Sequence, residues 1–366
     1  MKIDDLPVYM LSSFGHAGID WTHSLLDMHK DIIIMPAFSF FRTLHKIQKI
    51  NKIQIKNLSD PKYASEILGN MFYDDASYQL KRRKFLFDLE QKEIFCKNIY
   101  DYLKINNKSL VNDLFFAIHF AFCKTHKIDI NKKKCIVAHE HVAWHFPKYK
   151  KYFNSKNIII FRDPKAVLGG GILRMKNSNK SKKINSYQMD TMLLHMFSAY
   201  ELYKLNRNNL YPLTNESMHK DLRHEMTKLA NWMNIDFSET MLKQSFMGIN
   251  WLGESSYLAK DELHELPPAN FYDPIEVKKR WSSVLTKKDI IFIEVIFDQF
   301  IKDFKYDLEE KKTLKKILKG YYYFFFNYQF QEKYYLNKFI ILLRNILRRL
   351  SIILLKEKTI NIFTFK

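Results

Sequence analysis

The apolar residues of this chain gather in short runs that predict buried strands. The first run, Val8-Tyr9-Met10-Leu11, leads into a loop of small residues from Ser12 to Gly18. A strand, a small-residue loop and a helix in this order can surround a phosphate with backbone N–H groups and a helix N-terminus. The stretch after the loop predicts such a helix, with an inner side formed by Trp21, Leu25, Leu26 and Met28.

Two further apolar runs predict strands of the same sheet. They extend from Cys135 to His141 and from Asn157 to Arg162, and each ends in polar residues. Helical patterns separate the predicted strands, so the sheet should be parallel, and ligands of parallel sheets collect at the carboxyl ends of the strands. The polar residues at these ends are His139, Glu140, His141 and Arg162.

Most of the remaining chain has helical periodicity, at residues 40–134, at about 186–248 and from Lys287 to Lys302. One predicted buried helix face is formed by Leu222, Met226, Leu229, Ala230 and Met233. The whole pattern predicts an α/β fold: a P-loop-like, doubly wound parallel sheet flanked by helices. We expect one domain over residues 1–308 with a helical insertion at about 40–134, and a basic helical C-terminal appendage over 309–366.

The appendage combines aromatic, apolar and basic residues. Tyr321 to Phe326 are consecutive aromatics, and the segment from Leu336 to Leu355 is apolar and basic. Its charges in mid-segment argue against a membrane-spanning helix. Two arrangements stay open: an amphipathic helix on an anionic membrane surface, or a helix docked on the protein's own core or on a second subunit. Polar residues recur there near a helical period: Lys338, Asn345, Arg348, Arg349 and Lys356.

Composition adds a formal charge of +20, from 59 Lys and Arg against 39 Asp and Glu. Such an excess attracts anions, nucleic acid or acidic membranes without choosing among them, and lysines alternating with Asn and Ile, as at residues 46–52, are also typical of an AT-rich genome. Cys96, Cys123 and Cys135 are too scattered for a disulfide framework or a metal knuckle. The N-terminus has no secretion signal, so we expect a cytoplasmic protein, peripheral on the inner membrane face if the tail binds lipid.

The first loop resembles that of a known enzyme family. Ser12 to Trp21 is similar to the 5'-phosphosulfate loop of sulfotransferases that use 3'-phosphoadenosine 5'-phosphosulfate (PAPS), a basic residue followed by Ser-Gly-Thr-Thr-Trp. Gly18 and Trp21 match, whereas other residue types replace the basic residue, the Ser and both Thr. The resemblance implies a donor site that includes Phe14, Gly15, His16, Ala17, Gly18, Ile19, Asp20 and Trp21, with His16 as the substitute cation and a catalytic candidate.

The strand that ends at Arg162 resembles the family's 3'-phosphate segment. Arg162 and Pro164 match the pattern of that segment, and Gly170 stands at the position of a phosphate-binding Ser. The resemblance extends over residues 8–306 and implies transfer of a sulfuryl group from PAPS to a hydroxyl or amine, with Arg162 and Arg280 on the 3'-phosphate. Three more segments follow in the family's order: Tyr211 to Met218 with its helix, Phe246 to Ser255 around Trp251, as in carbohydrate-type members, and Lys279-Arg280-Trp281.

The base that takes the acceptor's proton has three candidates. Transfer of an anionic group between oxygens needs two anion sites and a base. The family places the base either after the first helix, where Met35 to Ser39 offer no carboxylate, or at the strand end occupied here by His139, Glu140 and His141. Strand alternation puts the two histidines on one face and Glu140 on the other, so either the histidines act together or Glu140 acts alone. Because neighbours on opposite faces cannot converge on one ion, we expect no metal.

The partners are less defined. The tail and the Trp251 loop indicate a glycan or lipid-linked acceptor by analogy; no nucleic acid is expected, and the oligomeric state is not predicted. Ala17, Asp20 and Gly170 also favour an alternative, a degenerate member of the fold that binds a nucleotide or glycan without catalysis. The loop lacks the Gly-Lys-Ser/Thr of a triphosphate site, which argues against a kinase.

Overall fold

The computed structural model of the chain describes residues 2–36, 39–49, 52–82, 89–106, 110–178, 186–250 and 273–326, with 343, 346, 347, 349 and 350. Its main sheet is fully parallel and contains β1 (Val8–Ser12), β2 (Ile32–Ile34), β3 (Cys135–Glu140), β4 (Lys156–Phe161) and β5 (Leu210–Thr214). The spatial order is β2-β3-β1-β4-β5. Two short strands, β6 (Ser245–Phe246) and β7 (Ile249–Asn250), form a separate antiparallel pair.

The strand order reverses at β1. The chain leaves β1 towards β2 on one side, and it leaves β4 towards β5 on the other. Since crossovers between parallel strands are right-handed, the two connections lie on opposite faces of the sheet. The predicted α/β class, a doubly wound parallel sheet flanked by helices, is confirmed, and its topological switch point lies between the carboxyl ends of β1 and β4.

Fourteen α-helices accompany the sheet in the described part of the chain. Helices α2 to α5 occupy the predicted insertion, and α14 lies at the start of the predicted appendage. The helices are α1 (Ile19–Leu26), α2 (Phe40–Lys49), α3 (Pro61–Arg82), α4 (Leu89–Ile105), α5 (Leu110–Thr125), α6 (Phe146–Phe153), α7 (Pro164–Ser178), α8 (Ser186–Leu205), α9 (Asn215–Lys220), α10 (Leu222–Trp232), α11 (Pro274–Ser282), α12 (Lys287–Ile296), α13 (Asp298–Asp303) and α14 (Leu314–Phe326).

The sheet forms the centre of the core. Every residue of β1, β2 and β3 is buried, as expected for parallel strands covered on both faces. Two hydroxyl groups inside this core have hydrogen-bond partners, which offsets the cost of burying them. Ser12 Oγ donates a 2.8 Å hydrogen bond to Asn157 Oδ1, and the Tyr9 hydroxyl donates a 3.0 Å bond to the Met233 carbonyl.

The predicted buried face of α10 is confirmed, but the stretch predicted as helical at about 186–248 also contains β5, and three other details differ from the prediction. Met28 is 60% exposed, because α1 ends at Leu26 and Met28 has a left-handed φ of 58°. The helix predicted from Lys287 to Lys302 is two helices, α12 and α13, interrupted at Phe297. Strand β2 was not predicted, since three residues are too few to show a period.

Helix α14 packs against α12. A Cβ on Gly320 would lie 2.5 Å from the side chain of Val295, so glycine permits this close contact. Lys316 Nζ lies 2.6 Å from Glu294 Oε2, and both residues are buried. The described start of the appendage is therefore docked on the protein's own core. Among the described residues, no helix combines the length and apolar character needed to cross a bilayer.

A line of buried charges leads from α14 to the end of β4. Glu294 Oε1 lies 3.7 Å from Lys165 Nζ, which lies 3.5 Å from Asp163 Oδ2. Asp163 directly follows Arg162, and its backbone N–H donates a 2.9 Å hydrogen bond to Glu216 Oε1. Opposite charges alternate along this line, which offsets the cost of taking them out of water.

Candidate active site

The loop between β1 and α1 lies at the switch point of the sheet. Gly15, His16 and Gly18 have φ angles of 86°, 50° and 96°. Glycine adopts this left-handed region freely, whereas His16 is strained there, and strain of this kind concentrates at functional sites. Gly18 is the N-cap of α1. A tightly turning backbone that leads into a helix N-terminus is a common binding site for phosphate and sulfate groups.

Three of the predicted donor-binding side chains point into the core. Phe14 packs against Phe161 and Phe300, with ring centroids 5.8 and 6.4 Å apart. Ala17 and Ile19 are also buried. Phe14, Ala17 and Ile19 can therefore offer a ligand only backbone atoms.

Gly18 is required by the neighbouring helix α9 as well. A Cβ on Gly18 would lie 2.3 Å from Asn215 Nδ2, whereas a Cβ on Gly15 would meet nothing within 4 Å. Gly18 thus fixes the start of α1 against α9. The position of Asp20, in the first turn of α1, depends on this contact.

Three arginines surround the loop. Arg162 Nη1 donates a 3.1 Å hydrogen bond to the His16 carbonyl. Burial, followed by the charges of Arg174 and Arg162, lowers the pKa of His16 to about 4. Burial, followed by the charges of Arg162 and Arg280, lowers the pKa of His219 to about 4. Both histidines are therefore neutral at pH 7, and the fixed positive charge belongs to the arginines.

Two buried nitrogens beside the loop lack a hydrogen-bond partner. Within the described residues these are Arg162 Nε and His219 Nδ1. The His219 ring stacks on Trp21, with centroids 4.1 Å apart. An unsatisfied buried polar atom costs about 1–3 kcal/mol, and Arg162 Nε can only donate. Arg162 Nε therefore fits a ligand that carries hydrogen-bond acceptors, such as a phosphate or sulfate, and His219 Nδ1 fits the same ligand in the tautomer that carries the hydrogen on Nδ1.

The carboxylate of Glu216 partly neutralises the positive charge of Arg162. Burial raises the pKa of Glu216, and the charge of Arg162 acts in the opposite direction. Glu216 Oε2 also accepts a 3.0 Å hydrogen bond from the Tyr306 hydroxyl. The carboxylate is thus held in place and in turn stabilises the guanidinium at the edge of the sheet.

His139 and His141 share one side of the end of β3, as strand alternation predicts, and α1 adds two side chains to them. His139 Nε2 lies 3.8 Å from Asp20 Oδ1, and His139 Nδ1 lies 3.1 Å from His23 Nδ1. The rings of His139 and His141 are 4.7 Å apart and nearly perpendicular. His139 is buried, whereas Asp20 and His141 are partly exposed. We call these four residues the histidine face.

Glu140 lies on the opposite side and is sealed there. Its Oε1 accepts a hydrogen bond from Ser39 Oγ, and its Oε2 lies 3.2 Å from His145 Nδ1. Burial, followed by the charge of Glu140, raises the pKa of Tyr149 well above its usual range. Glu140 itself is fully buried, so a substrate in solution cannot reach its carboxylate. We call Glu140, Ser39 and His145 the glutamate face.

The histidine face is also where a metal ion could bind. Asp20, His139 and His141 each place one ligand atom within 4.8 Å of the other two. Sequence analysis missed this set because Asp20 lies more than a hundred positions from the histidines. Two imidazoles and a carboxylate are common metal ligands, but they equally suit proton transfer.

Sequence analysis also missed Arg174. Gly170, predicted at a phosphate-binding position, lies in the interior of α7, and Arg174 follows one turn later on the same side of that helix. The spacing of four residues was the signal that could have found it. Gly171 allows α7 to pack closely on α8, since a Cβ there would lie 2.2 Å from the Met192 side chain, whereas its 3.6 Å distance to His16 is an ordinary contact. Of the predicted segment from Phe246 to Ser255, residues 251–255, which include Trp251, lie outside the described residues.

No protein-family model and no curated protein matches the sequence. Solved structures with similar arrangements include the following three. The sulfotransferase domain from the Synechococcus PCC 7002 olefin synthase is 14% identical, with a TM-score of 0.48 over 84% of this chain and 97% of that one. The sulfotransferase domain from the curacin biosynthetic pathway is 11% identical, with a TM-score of 0.41 over 83% and 98%. Retinol dehydratase in complex with androsterone and inactive cofactor PAP is 15% identical, with a TM-score of 0.31 over 85% and 83%. Similarity at this level carries no functional argument, so the residues themselves must support one.

Proposed function

We propose that the protein is a sulfotransferase that moves a sulfuryl group from PAPS to a hydroxyl or amine of an acceptor. The observation that carries this proposal is the pair of buried nitrogens without partners, Arg162 Nε and His219 Nδ1, beside the loop after β1. Arg162 is also the residue at which the sequence resembles a 3'-phosphate site. Anion-binding groups and an accessible base at one edge of the sheet are what in-line sulfuryl transfer requires.

The arginines and the loop backbone hold the donor. Arg162, with Arg280 near His219, binds the 3'-phosphate, and the loop with the N-terminus of α1 binds the 5'-phosphosulfate. His16 is neutral at pH 7 and cannot supply the fixed cation of the family's loop. Arg174, whose charge acts on His16, supplies it instead.

The histidine face takes the acceptor's proton. His141 is partly exposed and can contact an acceptor, while His139 and Asp20 position it. As the acceptor oxygen or nitrogen bonds to sulfur, the sulfur–oxygen bond to the donor phosphate breaks and the acceptor proton passes to His141. The arginines stabilise the charge that develops on the departing phosphate.

A glycan or a lipid-linked molecule is the proposed acceptor. Trp144, three residues after His141, lies with its ring 4.0 Å from that of His195. Burial lowers the pKa of His195 to about 4, so the pair is an uncharged aromatic surface. Such a surface suits the apolar side of a ring-shaped acceptor.

The experiment that tests the donor site is calorimetric titration with 3'-phosphoadenosine 5'-phosphate (PAP), the product that PAPS leaves. Wild-type protein should bind PAP, and Arg162→Ala should weaken binding by about 10- to 100-fold, the range for losing a charge-assisted contact. The matched control is Arg207→Ala. Arg207 is an exposed arginine before β5, at the opposite edge of the sheet, and its loss should leave PAP affinity unchanged. Absence of wild-type binding would refute the donor assignment.

A second candidate function is PAP binding without transfer. Asp20 favours it, because a carboxylate in the first turn of α1 opposes an anionic sulfuryl group. Incubation with PAPS and mixed acceptors separates the two functions. PAP release together with a sulfated product supports transfer, whereas PAP binding without turnover supports the binding protein.

A further inference from the structure

The positive charge of the chain is concentrated in its tail. Residues 311–366 contain 13 Lys and Arg against two Glu, a net of +11 in a chain of net +20. The tail is therefore much more basic per residue than the rest of the protein. A basic segment next to apolar and aromatic residues is attracted to anionic lipid headgroups, at about 1 kcal/mol per Lys or Arg near the surface.

Helix α14, at the start of this tail, has one face fixed to the protein. Lys316, Gly320 and Phe324 recur every four residues and are all buried. Lys316 pairs with Glu294, and Gly320 lies against Val295 of α12. The orientation of α14 about its own axis is therefore set by the core.

The other face of α14 is apolar and exposed. Leu314, Leu318 and Tyr322 also recur every four residues and are 74%, 64% and 60% exposed. Tyr321 and Phe326 extend this surface, and the Tyr322 and Phe326 rings lie 5.3 Å apart. We call these five residues the outer stripe. Soluble proteins rarely leave such a contiguous apolar patch uncovered unless it binds something.

Lysines border the outer stripe. Lys315 and Lys319 follow its two leucines and are exposed. Lys311 is exposed just before the helix. A helix whose exposed side combines leucine and aromatic side chains with lysines at the margin is typical of segments that lie in the interface of an anionic bilayer.

We propose that α14 binds the surface of an anionic lipid bilayer through the outer stripe. Leucine and aromatic side chains enter the headgroup region, and Lys311, Lys315 and Lys319 contact lipid phosphates. Because the opposite side of α14 is held by α12, the helix and the core bind the membrane as one body. The proposal concerns a surface apart from the candidate active site and does not depend on the proposed function.

Sedimentation with lipid vesicles tests the proposal on the full chain. We expect wild-type protein to bind vesicles of phosphatidylglycerol and phosphatidylcholine, to bind pure phosphatidylcholine at least about 10-fold more weakly, and to lose binding as salt rises. The double variant Leu318→Glu and Tyr322→Glu should weaken binding to the anionic vesicles by at least about 10-fold. Leu205→Glu is the matched control, because Leu205 is a leucine of similar exposure, 61%, at the end of α8. It should bind like wild type.

The outcomes separate the possible occupants of the stripe. The proposal would be overturned if wild-type protein did not bind anionic vesicles, or if the double variant bound them as tightly as wild type. A wild-type dimer in light scattering that the double variant converts to a monomer, without vesicle binding, would assign the stripe to a second copy of the chain. Thermal unfolding and PAP titration of the double variant should match wild type, so a loss of membrane binding is distinguished from misfolding and from failure of the donor site.

Discussion

The two sides of the end of β3 use similar residue types for different purposes. On the histidine face, His139 and His141 lie with Asp20 and His23 around a partly exposed edge. On the glutamate face, Glu140 is fully buried between Ser39 and His145. Adjacent positions at the end of one strand thus separate a set of proton acceptors with two partly exposed members, Asp20 and His141, from a sealed polar contact. Titratable residues in succession need not act together, because strand alternation sends them to different environments.

The largest expected effect is kinetic and tests the histidine face directly. His141→Ala should lower turnover of PAPS with an acceptor by about 10²- to 10⁴-fold, the range for loss of a general base. PAP affinity should change little, since His141 is not among the anion-binding residues. Glu140→Gln is the control, because it keeps the size of a side chain that substrate cannot reach. If Glu140→Gln lost as much turnover while remaining folded, the two faces would exchange their proposed roles.

The glutamate face should dominate stability instead. Glu140→Ala removes a buried carboxylate that Ser39 and His145 contact, and the free energy of unfolding should fall by about 2–4 kcal/mol. His141→Ala, at a partly exposed position, should cost about 1 kcal/mol or less. Urea denaturation followed by circular dichroism measures both. Equal losses of unfolding free energy in the two variants would show that the difference in burial between Glu140 and His141 does not affect stability.

A pair of glycine variants tests whether the start of α1 fixes the Asp20 side of the histidine face. Gly18→Ala and Gly15→Ala both place a side chain at positive φ, which costs about 1–2 kcal/mol. Only at Gly18 does the new Cβ meet Asn215. Gly18→Ala should therefore unfold about 1–2 kcal/mol more easily than Gly15→Ala, by the cost of overpacking. Similar thermal midpoints for the two variants would mean that Asn215 moves aside without effect.

The smallest effect concerns histidines outside the histidine face. The pKa of His16 and of His219 is lowered to about 4, against about 6.5 when unfolded. Between pH 4 and 6.5 the unfolded chain binds more protons at these sites, so stability is present above pH 6.5 and is lost as the pH falls towards 4. Each histidine should contribute up to about 1.4 kcal/mol per pH unit. The urea concentration at the midpoint of unfolding should fall between pH 7 and pH 5, and it should fall less steeply in His219→Gln than in wild type. Identical slopes in the two proteins would contradict the conclusion that His219 is neutral in the folded state.

The sequence predicted the parts of this fold that depend on local pattern. The strand around Ile158 and the buried face of α10 are long, regular apolar patterns, and both are confirmed. The separation of Glu140 from the two histidines follows from strand periodicity alone, and it is also confirmed. The short strand β2 and the break at Phe297 leave too little pattern to be recognised.

The remainder of the candidate site depends on contacts between distant segments. Nothing near Glu140 in sequence indicates that Ser39, at the start of α2, closes its face. His219 is a single histidine on a short helix, and only its stacking on Trp21 and its closeness to Arg162 mark it. In the loop pattern Asp20 has the wrong charge for an anion site, yet the fold brings its carboxylate to 3.8 Å from His139 Nε2. Such residues are identified by tertiary packing, which no local period encodes.

The buried charges between α14 and β4 connect the start of the tail to the core of the protein. A chain shortened before Lys316 would leave the Glu294 carboxylate buried with Lys165 as its nearest cation, and Lys165 also serves Asp163, the residue after Arg162. A truncation that removes the outer stripe would therefore also disturb the buried charges next to Arg162 in the anion site. A tail grafted in its place would need a cation at the position of Lys316 to keep Glu294 paired.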